Sequence, residues 1–131
     1  MLQIGITHEQ SRKVTPEMTA AAVSSGDLEV FATPEMILMA ENTAMEAVRP
    51  YLEEGMTTVG TKLDISHLAA TPVGMTVRCR VTLQEIDRRR LVFSVEVYDE
   101  AEKIGQGTHE RFIVDAARFT AKAMAKSHIG R

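Results

Sequence analysis

The sequence predicts an α+β fold in which an antiparallel sheet closes against one long helix. Three features carry this expectation. Residues 34–52 keep a three- and four-residue apolar period, as a helix requires. Later segments, from Val59 to Val114, alternate apolar and polar residues with period two. Short links join those segments, which favours antiparallel neighbours. The helix has one apolar stripe and the strands one apolar face. Burying one against the other gives two layers, with the sheet curled around the helix.

Leu2 to Val14 is mixed in pattern and reads as a weak edge strand. Thr15 to Asp27 contains Pro16, Ser24, Ser25 and Gly26 and reads as a lid or connection, with room for a short helix over Glu17–Val23. Thr33 suits a helix N-cap, and Pro34 suits the first turn because its missing N–H would have gone unpaired. Ile37, Leu38, Ala44, Met45, Val48 and Leu52 form the predicted stripe, with Glu35, Asn42, Glu46, Arg49 and Glu53 opposite. Pro50 strains or ends the last turn, and Gly55 lies just beyond. Val59, Thr61, Leu63, Ile65 and His67 then share one strand face. Thr71-Pro72-Val73-Gly74 has the residues of a turn. Val77, Cys79, Val81 and Leu83 alternate in the next strand, and Asp87 to Arg90 is a polar turn. Leu91, Phe93, Val95 and Val97 follow, then a strand over about Ile104–Val114 and a short helix over Arg118–Lys126.

With 131 residues the chain has the size of a single domain, 1–131. Apolar residues make up 44% and charged residues 25%, as in ordinary globular proteins. The net charge of −3 offers no broad field for nucleic acid, so no nucleic-acid partner is expected. No apolar run is long enough to span a bilayer, the N-terminus lacks a secretory pattern, and Cys79 stands alone. These points fit a cytoplasmic protein with no membrane partner. His8, His67, His109 and His128 are dispersed without metal-ligand spacing, so neither a metal nor a cofactor is expected. Cys79 alternates with valines and reads as a buried, inert thiol. The eight methionines read as core or lid fillers, with Met36 and Met39 able to line an acyl pocket. Arg88-Arg89-Arg90 reads as a polar hairpin turn, with contact to coenzyme A phosphates as the other use.

Two polar residues break the apolar pattern. Glu41 lies three or four residues from Ile37, Leu38, Ala44 and Met45, inside the predicted stripe. An unpaired buried carboxylate is costly, so it needs partners or a raised pKa. His67 continues the register of Leu63 and Ile65 and points to the same layer. Each fits a satisfied structural residue; together they also fit a carboxylate and imidazole sharing a hydrogen bond for acid–base work. Thr33 adds a hydroxyl at the helix start, where it serves as a cap, a substrate contact or both. Gly60 sits inside a strand, which fits a bulge, tight packing or close approach of the backbone to a ligand.

Phe31-Ala32-Thr33, Glu41, Thr58-Val59-Gly60-Thr61 and Ser66 to Gly74 occur in that order. Arg89-Arg90-Leu91 and Ile104 to Arg111 follow. Over roughly Val30–Val114 the chain resembles the fluoroacetyl-CoA thioesterase-like family, with His67–Gly74 the most specific segment. The resemblance implies a hot-dog fold, a homodimer and hydrolysis of an acyl-CoA thioester to free acid and CoA. It implies Thr33, Glu41 and His67 as catalytic residues, and Gly60 and Arg111 at the substrate; by spacing alone Arg111 is a solvated strand charge. The family's aromatic lid corresponds here to Ser24–Glu29, which has no aromatic residue and implies an acyl group other than fluoroacetyl. Another hot-dog enzyme acting as a hydratase, and a non-catalytic acyl-CoA-binding protein, are the alternatives.

Overall fold

The computed structural model describes residues 1–128. Strand β1 (Thr7–Lys13) leads into a 3-10 turn at Pro16–Met18 and the one-turn helix α1 (Ala20–Val23). The central helix α2 (Thr33–Val48) follows. Then come β2 (Met56–His67), β3 (Thr76–Asp87), β4 (Arg90–Tyr98) and β5 (Lys103–Asp115), and last the helix α3 (Ala116–Ala125). The five strands form one antiparallel sheet in the order β1-β3-β4-β5-β2. The expected N-terminal edge strand is therefore present, and β2 forms the opposite edge. No helix among the described residues is long and apolar enough to cross a membrane.

Ser24 ends α1 in the left-handed region at φ 62°. Pro50 does end the long helix: α2 stops at Val48, and Arg49–Tyr51 form a 3-10 turn. Asp87 pairs with Arg90 across a two-residue hairpin loop, with Arg88 at φ 59°. Asp115 caps α3 by accepting from the Arg118 N–H.

Two expectations about facing are corrected. The buried stripe of α2 is Met36, Met39, Ala40, Thr43, Ala44, Ala47 and Val48. Of the predicted stripe it keeps only Ala44 and Val48, while Leu38 is 50% exposed. Alanines decide the phase: Ala40, Ala44 and Ala47 let the backbone approach the sheet closely, and the larger Leu38 and Met45 fall on the flank. Glu41 shares that flank and is half-buried. In β2 the register against β5 shifts between Gly60 and Lys62, leaving Thr61 as an extra residue. The bulge swaps faces. Thr58 and Gly60 point inward before it, with Leu63, Ile65 and His67 inward after it, so Val59 and Thr61 do not join them.

The core between α2 and the sheet holds Val77, Cys79, Val81 and Leu83 from β3 and Leu91, Phe93, Val95 and Val97 from β4, all buried. Cys79 is fully buried, and burial pushes its thiol pKa up to about 11.

Candidate active site

Thr33 is the first residue of α2 and not its cap; Ala32 holds the cap position without a side-chain bond. The freed hydroxyl lies 2.7 Å from His67 Nδ1. His67 stands at the end of β2, one residue before the chain leaves the sheet. Phe31 packs edge-on to its ring, with centroids 6.4 Å apart. His67 Nε2 is buried without a hydrogen-bond partner among the described residues. Burial pushes the His67 pKa below its ordinary value, with the Ala69 backbone pulling the other way. The shift favours the neutral imidazole. Its bond to Thr33 admits two proton arrangements: the hydroxyl donates to Nδ1 and Nε2 carries the ring proton, or Nδ1–H donates to Oγ1 and leaves Nε2 as the free base.

The segment from Met18 to Ala32 borders this corner. Ala20 N–H donates to the Val30 carbonyl, Ala21 N–H to Leu28 and Ala32 N–H to Met18. A cavity of about 330 Å³ lies between lid and sheet, bordered by Ala20, Val30, Phe31, Thr33, His67 and Ala69. Ser24–Glu29 lie wholly on the surface.

Glu41, Gly60 and Arg111 form a second group. A Cβ added at Gly60 would lie 2.8 Å from Glu41 Oε2 and 3.4 Å from Arg111 Nη1. Glycine thus keeps the space between carboxylate and guanidinium clear of a side chain. Arg111 is 5% exposed, not a solvated strand charge. It donates from Nε to Thr58 Oγ1 at 2.8 Å and from Nη2 to the Thr58 carbonyl at 2.9 Å. Burial lowers its pKa, while the nearby Glu41 charge opposes that shift.

The structure brings Thr33 and His67 together, and Glu41, Gly60 and Arg111 together. It does not join the two groups within one chain. Among the described residues no hydrogen bond links Glu41 to His67 or Thr33, contrary to the shared carboxylate–imidazole bond the sequence suggested. Thr33 and Glu41 are eight residues apart on α2, about 12 Å along its axis.

Sequence reasoning named His109 but gave it no part in the site. Its side chain is fully buried beside Gly60 and Arg111. Its signal was present: Gly105, Gly107, His109 and Arg111 occupy one face of a strand at period two. Among the described residues no three His, Cys, Asp or Glu side chains gather as metal ligands.

A five-stranded antiparallel sheet packed on a central helix, with a polar pocket at the helix start, defines a hot-dog protein of the thioesterase superfamily. A Thermus thermophilus protein described as a thioesterase superfamily member superposes with a TM-score of 0.90 at 29% identity, covering 98% of this chain and 95% of its own. The match is closer within that class. The family model of the fluoroacetyl-CoA-specific thioesterase FlK matches residues 14–117, and the chain belongs to this family. It is 37% identical over 123 residues to the fluoroacetyl-CoA thioesterase of Streptantibioticus cattleyicolor, covering 94% of this chain and 86% of that protein. A solved structure of FlK superposes with a TM-score of 0.91 at 33% identity, covering 96% of this chain and 98% of that one. A phenylalanine-to-alanine variant of FlK, solved with fluoroacetate and CoA, superposes at 0.86, covering 90% and 99%.

Proposed function

We propose that this protein hydrolyses an acyl-CoA thioester to the free acid and CoA, and that the acyl group is not fluoroacetyl. The observation that carries the reaction is the Thr33–His67 hydrogen bond at a pocket mouth, with the Glu41 carboxylate and the buried Arg111 guanidinium both beside the bare Gly60 backbone. The surface stretch Ser24–Glu29, without an aromatic side chain, supports the different acyl group.

Glu41, His67 and Thr33 are the proposed catalytic residues, with Gly60 and Arg111 at the substrate. Backbone N–H groups near Gly60 and the first turn of α2 polarise the thioester oxygen. Glu41 activates water or attacks the carbonyl carbon to form an anhydride that water then opens. His67 moves the proton that the departing thiolate needs. Thr33 orients His67 or the acyl group.

The active unit is a homodimer. Gly60 to Asp64 of β2 are exposed along an open sheet edge, and Leu63 and Leu38 are exposed near it. Antiparallel pairing of two β2 edges extends the sheet and reverses one strand against the other. That reversal brings the His67 end of one protomer toward the Gly60 end of the other. One complete site then draws Thr33 and His67 from one copy and Glu41, Gly60 and Arg111 from the second.

The test is free-thiol release from a panel of short, medium and aryl acyl-CoAs, including fluoroacetyl-CoA, with Glu41→Gln as control. Release abolished in the variant supports the reading. Tight binding without release favours an acyl-CoA-binding protein, and water addition to an enoyl-CoA favours a hydratase. Sedimentation gives the mass. Co-refolding Glu41→Gln with His67→Ala restores activity if the site is shared between copies, since one composite site in each mixed dimer carries neither change.

A further inference from the structure

The inward face of β5 holds a buried histidine that the proposed reaction does not use. His109 is fully buried, and its ring stacks on Phe93 with centroids 6.4 Å apart and planes 29° from parallel. Its Nδ1 lies 2.8 Å from the Lys62 carbonyl, next to the Thr61 bulge. A carbonyl only accepts, so Nδ1 carries the proton. Nε2 is then a lone pair, and it lies 3.1 Å from Arg111 Nη1, which donates to it. Burial and the Arg111 charge both lower the His109 pKa, more than the Lys62 carbonyl and nearby carboxylates raise it. Both nitrogens are occupied, so His109 is not a general base.

Its geometry has a consequence for Arg111. The guanidinium has five N–H groups. Thr58 takes one from Nε and one from Nη2, and His109 takes one from Nη1. Two remain, the second N–H of Nη1 and the second of Nη2. Nη1 is also the guanidinium atom nearest the place of a Cβ on Gly60, across from Glu41 Oε2. Without the His109 acceptor the planar group is held on its Nε–Nη2 side alone, by Thr58, and Nη1 is free to swing as the plane tilts about those two contacts.

We propose that His109 is a positioning residue: it holds Arg111 so that an Nη1 N–H faces the Glu41 carboxylate over the Gly60 backbone, where an oxygen of the reacting species binds. The inference rests on the thioesterase reading of this site. It assigns the Thr61 bulge a purpose, because the bulge sets the Lys62 carbonyl against His109.

Two substitutions separate positioning from packing. In His109→Asn the amide N–H reaches the Lys62 carbonyl, but the acceptor toward Arg111 is lost. In His109→Gln the longer side chain restores an oxygen near the place of Nε2. The Asn variant is expected to lose kcat about 10- to 100-fold, as misaligned groups do, with KM changed little. The Gln variant recovers most of that loss. In an Arg111→Ala background, His109→Asn has no further effect, the non-additivity of a coupled pair. Equal losses in Asn and Gln variants, or losses that multiply with Arg111→Ala, overturn the proposal. Thermal melts report folding, and His109→Phe, which keeps a ring against Phe93, replaces the Asn variant if that one does not fold. If the wild-type protein binds a non-hydrolysable acyl-CoA thioether but releases no thiol, the hydrolase reading fails alone. The same cycle, read as affinity for the thioether, then decides the role of His109.

Discussion

Strands β4 and β5 lie side by side, share one face and differ almost completely in what they put on it. Leu91, Phe93, Val95 and Val97 of β4 stand directly opposite Arg111, His109, Gly107 and Gly105 of β5. Every position in the first set is buried and apolar. The second set has a cation, an imidazole and two glycines. Both strands run in the same sheet, so side-chain chemistry alone separates an apolar strand face from one lined by charge and glycine. The glycines have physical reasons. A Cβ at Gly105 would lie 2.7 Å from Met36 Sδ, and one at Gly107 would run into the Asp64 carbonyl of β2. β5 gives up apolar burial so that α2 and β2 can approach it.

The largest effects are expected on the elements that pack beside β5, at Glu41 of α2 and His67 of β2. Glu41→Gln and His67→Ala are each expected to lower kcat about 100- to 10,000-fold, the range for a lost acid–base group. Their melting temperatures stay close to wild type, because neither residue belongs to the apolar core. Near-normal turnover in both variants would sink the assignment.

Phe93→Ala is the opposite case. It removes a fully buried ring from β4 and costs about 3–5 kcal/mol of stability, measured by denaturant titration. Because Phe93 stacks on His109, some loss of kcat in the folded fraction is expected too. That loss measures how far the two strands depend on each other.

Gly60→Ala places a methyl against Glu41 Oε2. Turnover is expected to drop about 10- to 100-fold, the cost of misaligning reacting groups, with a smaller change in melting temperature. An unchanged kcat would show that the Gly60 backbone lies away from the reaction.

Acid has a milder and signed effect. His67 and His109 both have folded-state pKa values below the ordinary histidine value. The unfolded chain therefore binds more protons as pH falls through about 6.5. Stability from these two groups is fully present above that pH and declines below it. The acidic limb of kcat set by His67 likewise falls below about 6.5. A melting temperature that rises from pH 5 to 7 and then levels off is the expected result; replacing His109 by Gln should flatten part of that rise.

The smallest effect is at Cys79 on β3. With its pKa pushed up to about 11 by burial, the thiol should react with a disulfide reagent only as fast as the protein opens. Reaction at the rate of a free thiol would place the β3 core closer to solvent than its complete burial indicates.

The sequence by itself determined the α+β class, the long helix with its proline stop, the strand segments and the ordered polar residues that link the chain to its family. Those signals are local: periodicity, turn chemistry and short motifs act within a few residues of one another. Only the tertiary structure decided the rotation of α2, because alanines add little to an apolar pattern yet fix how near a helix can sit to a sheet. Among the uses the sequence left open at Gly60, it alone chose a bulge, at the neighbouring Thr61, since the residue types there fit the other uses equally well. It alone gave His109 a part, because the Lys62 carbonyl that selects its tautomer is 47 residues away in the chain. It also parted Glu41 from His67, which the sequence had set in one layer, because a strand edge and a helix flank meet only where the whole chain has closed.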